Sequence, residues 1–453
     1  MTDPAPLAKP SRIVTPSRRE FIKTSSIVAA GGALASTLSL ARSAHAAGDD
    51  TIKLALIGCG GRGSGACSQA LSTSGPVKLV AMADAFRDRL DGALSGLSRE
   101  HKDRVDVPED KRFVGFDAYQ KAIDSGVDMV ILATPPGFRP IHFEAAVKAG
   151  KNVFMEKPVA TDALGVRKVL AAAEEAKRKN LKVGVGLQRR HQAHYLESIK
   201  RVQDGDIGEV LAMRVYWNGD TPWRHTRNEL KSKYPNLTEM EYQMRNWYYF
   251  VWLCGDNIVE QHIHNLDIAY WVKGVLPVRG NGMGGREVHK ERDDGEKFDH
   301  HCVELEYDDG TRVFSQCRHI PGCWQSVSEH AHGTKGNMSI DDGSGARFET
   351  KGGKKFNVRK QGKNPYQVEH DDLFAAIRAD LPYNEAQRGA ESTMMAIFGR
   401  MLTYSGQNLS WDEAINSKIS VMPKEFSFDA TPPVVPDSDG YYPVPVPGRT
   451  RVV

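Results

Sequence analysis

Two rhythms of apolar and polar positions divide the chain. Between residues 51 and 187, short unbroken apolar runs recur: 51–57 (TIKLALI), 77–83 (VKLVAMA), 127–133 (VDMVILA), 152–155 (NVFM) and 182–187 (KVGVGL). Runs of this length, bounded by Gly, Pro or charge, predict parallel strands buried on both faces. Helical spacing fills the gaps at 63–71, 142–149 and 162–179. From residue 209 the rhythm becomes alternation, which predicts half-buried strands. Residues 209–217 form one, and 300–307 pairs with 311–317 across Asp308-Asp309-Gly310. A turn-rich hairpin is predicted at 337–355, with helices at 367–378 and 389–404. The fold class is therefore α/β followed by α+β, the second part built on an open, mostly antiparallel sheet.

The first strand ends in Gly58-Cys59-Gly60-Gly61-Arg62-Gly63, and the second ends in Asp84, twenty-one residues after Gly63. Strand, G-x-G-x-x-G, helix, strand and acid in this order predict a dinucleotide site. Gly58 permits the turn, Gly60 lets backbone approach a pyrophosphate, and Gly63 lets helix pack on strand. The helix N-terminus supplies free N–H groups. Asp84 accepts from ribose hydroxyls and repels a 2′-phosphate, so NAD is expected over NADP. Thr134 and Pro135 end the strand at 127–133, and Glu156-Lys157-Pro158 ends the strand at 152–155. In an open parallel sheet both ends face the ligand crevice.

Charge adds a different message. The first 46 residues carry six Lys/Arg against two Asp/Glu, more than the whole chain's net +3, so the remainder is near neutral. A near-neutral body has no footprint for nucleic acid. Arg18-Arg19 precede a mildly apolar run at 27–40 and then Ala44-His45-Ala46, the pattern of a twin-arginine export signal. The apolar run is shorter than the roughly 20 residues of a membrane span. Six cysteines without a CxxC give no zinc or redox motif, although Cys317 and Cys323 are near enough in sequence to pair.

The glycine loop, the Thr-Pro break, AVKAGKNVFMEKP and the later Glu260-xxx-His264-xx-Asp267 resemble the Gfo/Idh/MocA oxidoreductases over about residues 51 to 415. The resemblance implies an N-terminal Rossmann domain (47–180) after the signal (1–46). It also implies a substrate and oligomerisation domain (181–427), in a homo-oligomer, dimer or tetramer. A proline-rich arm (428–453) follows. Gly58, Gly60, Gly61, Arg62, Gly63, Asp84, Thr134, Pro135, Glu156, Lys157 and Gln188 are the expected NAD contacts. Lys157, Glu260 and His264 are the expected catalytic group, and Arg190, Trp223 and His264 the expected substrate contacts. The family usually has Asp where Glu260 stands and Gly where His262 stands.

Residues 255–272 read as one helix, which puts Glu260 and His264 on a common face, the carboxylate orienting an imidazole general base. A metal site is the rival reading, but His262 and His264 diverge by about 200° on a helix, so no metal is expected. A solvated helix face is the plain alternative. Five of the seven tryptophans fall between 217 and 271, where they suit either sugar stacking or core packing. Residues 218–246, polar and interrupted, look like an insertion or loop over the site. The expected protein is an exported, NAD-dependent oxidoreductase acting on a secondary alcohol of a sugar, glycoside or cyclitol. A redox glycosidase using NAD transiently and a non-catalytic sugar-binding protein stand as alternatives. An intact Lys157 favours the dehydrogenase.

Overall fold

The computed structural model describes residues 50–453; the twin-arginine segment lies outside them. Six parallel strands form the first sheet: β1 (Ile52–Ile57), β2 (Val77–Asp84), β3 (Arg112–Val114), β4 (Met129–Leu132), β5 (Asn152–Met155) and β6 (Val183–Val185). Their order is β3-β2-β1-β4-β5-β6, so the winding reverses between β1 and β4 and opens a crevice above their carboxyl ends. Successive side chains face opposite ways. Leu54 and Leu56 join the core beneath helices Gly61–Leu71 and Arg87–Glu100. Ala55 and Ile57 join the core beneath Arg139–Lys148 and Ala163–Arg178.

The second sheet has nine strands: β7 (Val210–Gly219), β8 (Arg279–Gly285), β9 (His300–Glu306), β10 (Arg312–His319), β11 (Ser326–Gly333), β12 (Gly336–Asp341), β13 (Gly345–Thr350), β14 (Lys355–Arg359) and β15 (Leu409–Ser410). Their order is β14-β13-β12-β11-β7-β10-β9-β8-β15, antiparallel throughout except for the parallel pair β7–β10. Helices Ile263–Lys273 and Ala386–Ser405 cover one of its faces.

The two layers are interlocked by the C-terminal third of the chain. Helix Pro365–Arg378 buries Leu373 and Phe374 in the core of the first sheet. The edge of β6 is closed by distant backbone: Val183 N donates to Tyr383 O (2.8 Å) and Glu385 N donates to Val183 O (2.9 Å). Glu385 Oε2 accepts from Val185 N at 2.9 Å.

Three expectations change. Residues 255–272 are not one helix but two, Asn257–Glu260 and Ile263–Lys273. The break falls where the fully buried His262 ring drops onto β10, with Nε2 2.7 Å from Ser315 Oγ. Residues 218–246 do lie over the site but are not irregular throughout. They hold helices Arg227–Lys233 and Glu239–Arg245, each started by a threonine side chain, Thr226 and Thr238, that accepts from a backbone N–H. The tail from residue 428 has no helix or strand, yet it is docked: Gln243 Nε2 donates to Val434 O (2.7 Å), and Tyr442 is buried. The six cysteines are free, Cys317 buried and Cys323 exposed. Among the described residues no helix is long and apolar enough to cross a membrane.

Arg190 is also reassigned. Its guanidinium grips Asp267 through both carboxylate oxygens (2.7–3.0 Å) and lies over the Trp271 ring, and Asp267 accepts a further bond from Ser392 Oγ. Asp267 is buried and the Arg190 side chain nearly so, so the pair locks helix Ile263–Lys273 to its neighbours. Arg190→Ala leaves a buried carboxylate unpaired and should destabilise the protein by about 3–5 kcal/mol without altering NAD affinity. Thermal unfolding alongside a cofactor titration checks both halves.

Candidate active site

The glycine loop is shaped by contacts that exclude side chains. Gly58 has φ +98°, and a Cβ there would sit 2.4 Å from Thr134 N; one at Gly63 would sit 1.9 Å from Gly58 O. Gly60 and Gly61 face open space instead, with nothing within 4 Å of an added Cβ. The loop therefore packs tightly on its protein side and stays bare on its cavity side, as a pyrophosphate requires. Asp84 stands at the end of β2, its Oδ2 accepting from Cys59 N (2.6 Å) and its Oδ1 from Phe86 N (2.9 Å). Burial raises the pKa of this carboxyl, while the two N–H donors and Arg89 oppose the rise.

A cavity of about 620 Å³ runs from this loop into the second layer. Gly58, Gly60, Gly61, Arg62, Gly63, Asp84, Thr134, Pro135, Glu156, Lys157, Gln188, Trp223, Glu260 and His264 all line it, and Arg190 does not. Arg62 is already engaged: Nε donates to Glu156 Oε1, Nη2 reaches Glu369 Oε1 (3.3 Å), and the guanidinium lies over Tyr366. Arg139, absent from the sequence expectations, is fully buried where two strand ends meet. It donates from Nε to Glu156 O (2.9 Å) and from Nη2 to Thr134 O (2.7 Å), fixing the loops after β4 and β5 together. Its only sequence signal was an arginine opening the helix after the Thr-Pro break.

The catalytic candidates meet, but not in the expected pairing. Lys157 Nζ donates to the Glu260 backbone carbonyl (2.7 Å) and to Glu260 Oε1 (3.1 Å). Glu260 therefore orients the lysine rather than His264. The helix break after Glu260 is the reason, since the i,i+4 face it was to share with His264 does not exist. His264 stacks on Trp217 (centroids 5.8 Å, 24°), and its buried Nδ1 has no hydrogen-bond partner. Burial pushes the imidazole's pKa well below its usual 6.5, and the cations Lys157, Arg189 and Arg62 push the same way. It is neutral at pH 7 and free to accept a proton. His262 is turned away onto Ser315 and Asn265.

The region 218–246 and the residues after it supply the remaining wall. Trp223, His225, Met244, Arg245, Trp247 and Tyr248 line the cavity. The Arg245 guanidinium lies over the rings of Phe86 (3.9 Å) and Tyr234 (3.6 Å) and pairs with Asp88 (3.1 Å). These contacts tie the wall to the protein beside Asp84. The C-terminal segment reinforces it, with Phe428 against Phe116 (4.9 Å) and Phe86 (5.7 Å).

Residues 52–186 match the Gfo/Idh/MocA family, described as an oxidoreductase family with an NAD-binding Rossmann fold. The first layer is thus a Rossmann domain of the Gfo/Idh/MocA type. The chain is similar to inositol 2-dehydrogenase of Rhizobium meliloti, 26% identical over 64% of this chain and 76% of that protein. It is also similar to 2,7-anhydro-N-acetylneuraminate hydratase of Escherichia coli, 28% identical over 48% of this chain and only 52% of that protein. The fold matches scyllo-inositol dehydrogenase of Lactobacillus casei, solved with bound NAD(H) and scyllo-inositol, with TM-score 0.59 and 19% identity over 80% of this chain and 99% of that one.

NAD is the cofactor, and Asp84 beside Arg89 at the cavity wall sets a test of its selectivity. Asp84→Ser removes the charge that repels a 2′-phosphate and leaves Arg89 unopposed. The ratio of NAD to NADP affinity should fall at least tenfold, about 1.4 kcal/mol, in fluorescence titrations of both nucleotides.

Proposed function

We propose that this oxidoreductase oxidises a secondary alcohol of a sugar, glycoside or cyclitol outside the cytoplasm, using NAD that stays bound between turnovers. The observation that carries the reading is the meeting of Lys157 and His264, from different layers, in the cavity that also holds the bare glycine loop and Asp84. NAD, when bound, supplies the hydride acceptor. His264, held toward its neutral form by burial and the neighbouring cations, takes the hydroxyl proton. The Lys157 ammonium, held in place by Glu260, stabilises the negative charge that develops on the substrate oxygen. Trp223 and Trp247 offer ring faces for the apolar side of a polyol.

A second reading has one observation in its favour. The Escherichia coli relative is named a hydratase, a net reaction without redox change. A transient oxidation that acidifies a neighbouring C–H, followed by elimination and return of the hydride, would fit the same residues. A panel of glycosides and cyclitols, followed by cofactor absorbance and by released aglycone, separates the two: net reduction of NAD supports the dehydrogenase, and aglycone release without it supports the alternative.

The pH profile tests the base. A general base must be deprotonated, and a lowered pKa keeps His264 deprotonated as pH falls through 6.5. Oxidation should therefore persist below that value, with the acid limb of kcat/KM displaced to lower pH; a limb at or above 6.5 contradicts the assignment. His264→Ala should slow single-turnover oxidation about 10²–10⁴-fold while NAD affinity changes less than tenfold.

Retention of the cofactor follows from the enclosing wall and from the export signal read in the sequence. An exported enzyme that released its cofactor each turnover would lack a pool to replace it. NAD should co-purify with the mature protein, recovered in the supernatant after denaturation, and Arg245→Ala should speed its dissociation at least tenfold. Protein isolated empty, with turnover strictly dependent on added NAD, contradicts the proposal. A reporter fused after Ala47, with Arg18 and Arg19 changed to Lys, tests export separately.

A further inference from the structure

Behind the cavity lies a lysine in an unusual setting. Lys297 is fully buried, and among the described residues its ammonium meets no carboxylate at ion-pair distance. It sits instead over the rings of Tyr249 (4.4 Å) and Tyr248 (5.2 Å), with one polar neighbour, His319 Nδ1, at 3.5 Å. On its far side, His319 Nε2 is 2.8 Å from Gln261 Oε1. Gln261 lines the cavity directly after Glu260, the residue that holds Lys157.

The donor and acceptor roles along this chain are fixed from its buried end. An ammonium can only donate, so the His319 Nδ1 facing it must be bare. The imidazole, with one proton, then carries it on Nε2 and donates to Gln261. Gln261 must therefore turn its oxygen inward, its amide donating one hydrogen toward the Tyr248 hydroxyl and leaving the other to the cavity side. Burial keeps His319 neutral, and the cation beside it acts in the same direction. With the amide reversed, Gln261 would donate to His319 Nε2, forcing a proton onto Nδ1 against the ammonium. Burial pushes the Lys297 pKa down, and Asp256, with Asp294 and Asp299, opposes the fall from beyond ion-pair distance; a neutral side chain would fill the space at less cost but would not impose a direction on the amide.

We propose that Gln261 is a substrate-binding residue, oriented by the Lys297–His319 pair, that donates to the ring hydroxyl neighbouring the carbon being oxidised. The inference rests on the dehydrogenase reading above. The ligand class it selects is a vicinal diol: one oxygen at Lys157 and His264, the adjacent one at the Gln261 amide. His319 is then a positioning residue, acting on substrate only through Gln261.

The experiment compares a polyol substrate with its analogues deoxygenated at either carbon next to the oxidised one, in the NAD-loaded enzyme. Wild type should prefer the diol over one deoxy analogue at least tenfold in kcat/KM. Gln261→Leu should abolish that preference by losing activity on the diol alone, with NAD affinity unchanged. His319→Leu should reproduce the loss, and His319→Gln, which can still donate to Gln261, should restore it. Nitrogen-15 NMR of His319 at pH 7 should show a neutral ring protonated on Nε2, independently of any substrate. Preference retained in Gln261→Leu, or a His319 ring protonated on Nδ1, overturns the proposal. If no polyol is oxidised, the dehydrogenase reading fails and takes the substrate role with it, while the NMR tautomer still decides how the amide is oriented.

Discussion

A lysine at the end of one sheet, held by a residue from the other layer, organises this molecule. Lys157 ends β5, and both of its partners, a carbonyl and a carboxylate, belong to Glu260. A flexible four-carbon stem would otherwise leave its charge wandering in the cavity. Two acceptors on one residue hold it, at the junction where the nucleotide crevice runs into the second layer. Glu260 is in turn fixed from below, since Asp256 anchors its short helix. Asp256 accepts from Asn257 N (2.5 Å), Phe298 N (2.9 Å) and the Tyr404 hydroxyl (2.5 Å), with buried His301 and Lys297 holding its carboxyl well below the usual range. The charge that meets the substrate thus rests on hydrogen bonds that extend through the core of the second layer.

Electrostatics divides the labour between the two central groups. The same dry environment that favours a neutral His264 strengthens the field of the lysine beside it. A weak base next to a strong cation suits a substrate whose proton becomes labile only as its oxygen is engaged. The neutrality of the imidazole and the placement of the ammonium are therefore one arrangement rather than two.

Much of the first layer was legible because each of its elements has a local cause. The central strands are apolar on both faces, and the glycines and the Thr-Pro break occur where chain geometry requires them. The element boundaries that moved did so by one to three residues. What sequence did not reveal depends on partners far along the chain. β8 reads RGNGMGG, with no strand pattern, because helix Ala386–Ser405 packs so closely that a Cβ at Gly280 would come within 2.7 Å of Leu402. The break between Glu260 and Ile263 depends on Ser315, and no periodicity announces it. Arg190 carried a charge that suited a substrate, but the Asp267 that claims it lies 77 residues away. Arg139 and Lys297 look ordinary in sequence, and only burial reveals what each of them fixes.

The closure of β6 by residues 383–385 bears on how the chain comes to be folded at all. An uncovered strand edge is a template for pairing with another chain. Here the covering backbone lies 200 residues downstream of the edge it protects, and the helix that seals the same sheet's second core, Pro365–Arg378, is almost as distant. During synthesis the nucleotide-binding half emerges first, with its last strand bare and the cover of one apolar face incomplete. It cannot mature as a self-sufficient unit and wait. The long loop that must close makes folding slow, and the nascent half is sticky throughout that interval. The order of synthesis thus becomes part of the design: the first half is fully shielded only when the last third of the polypeptide has joined it.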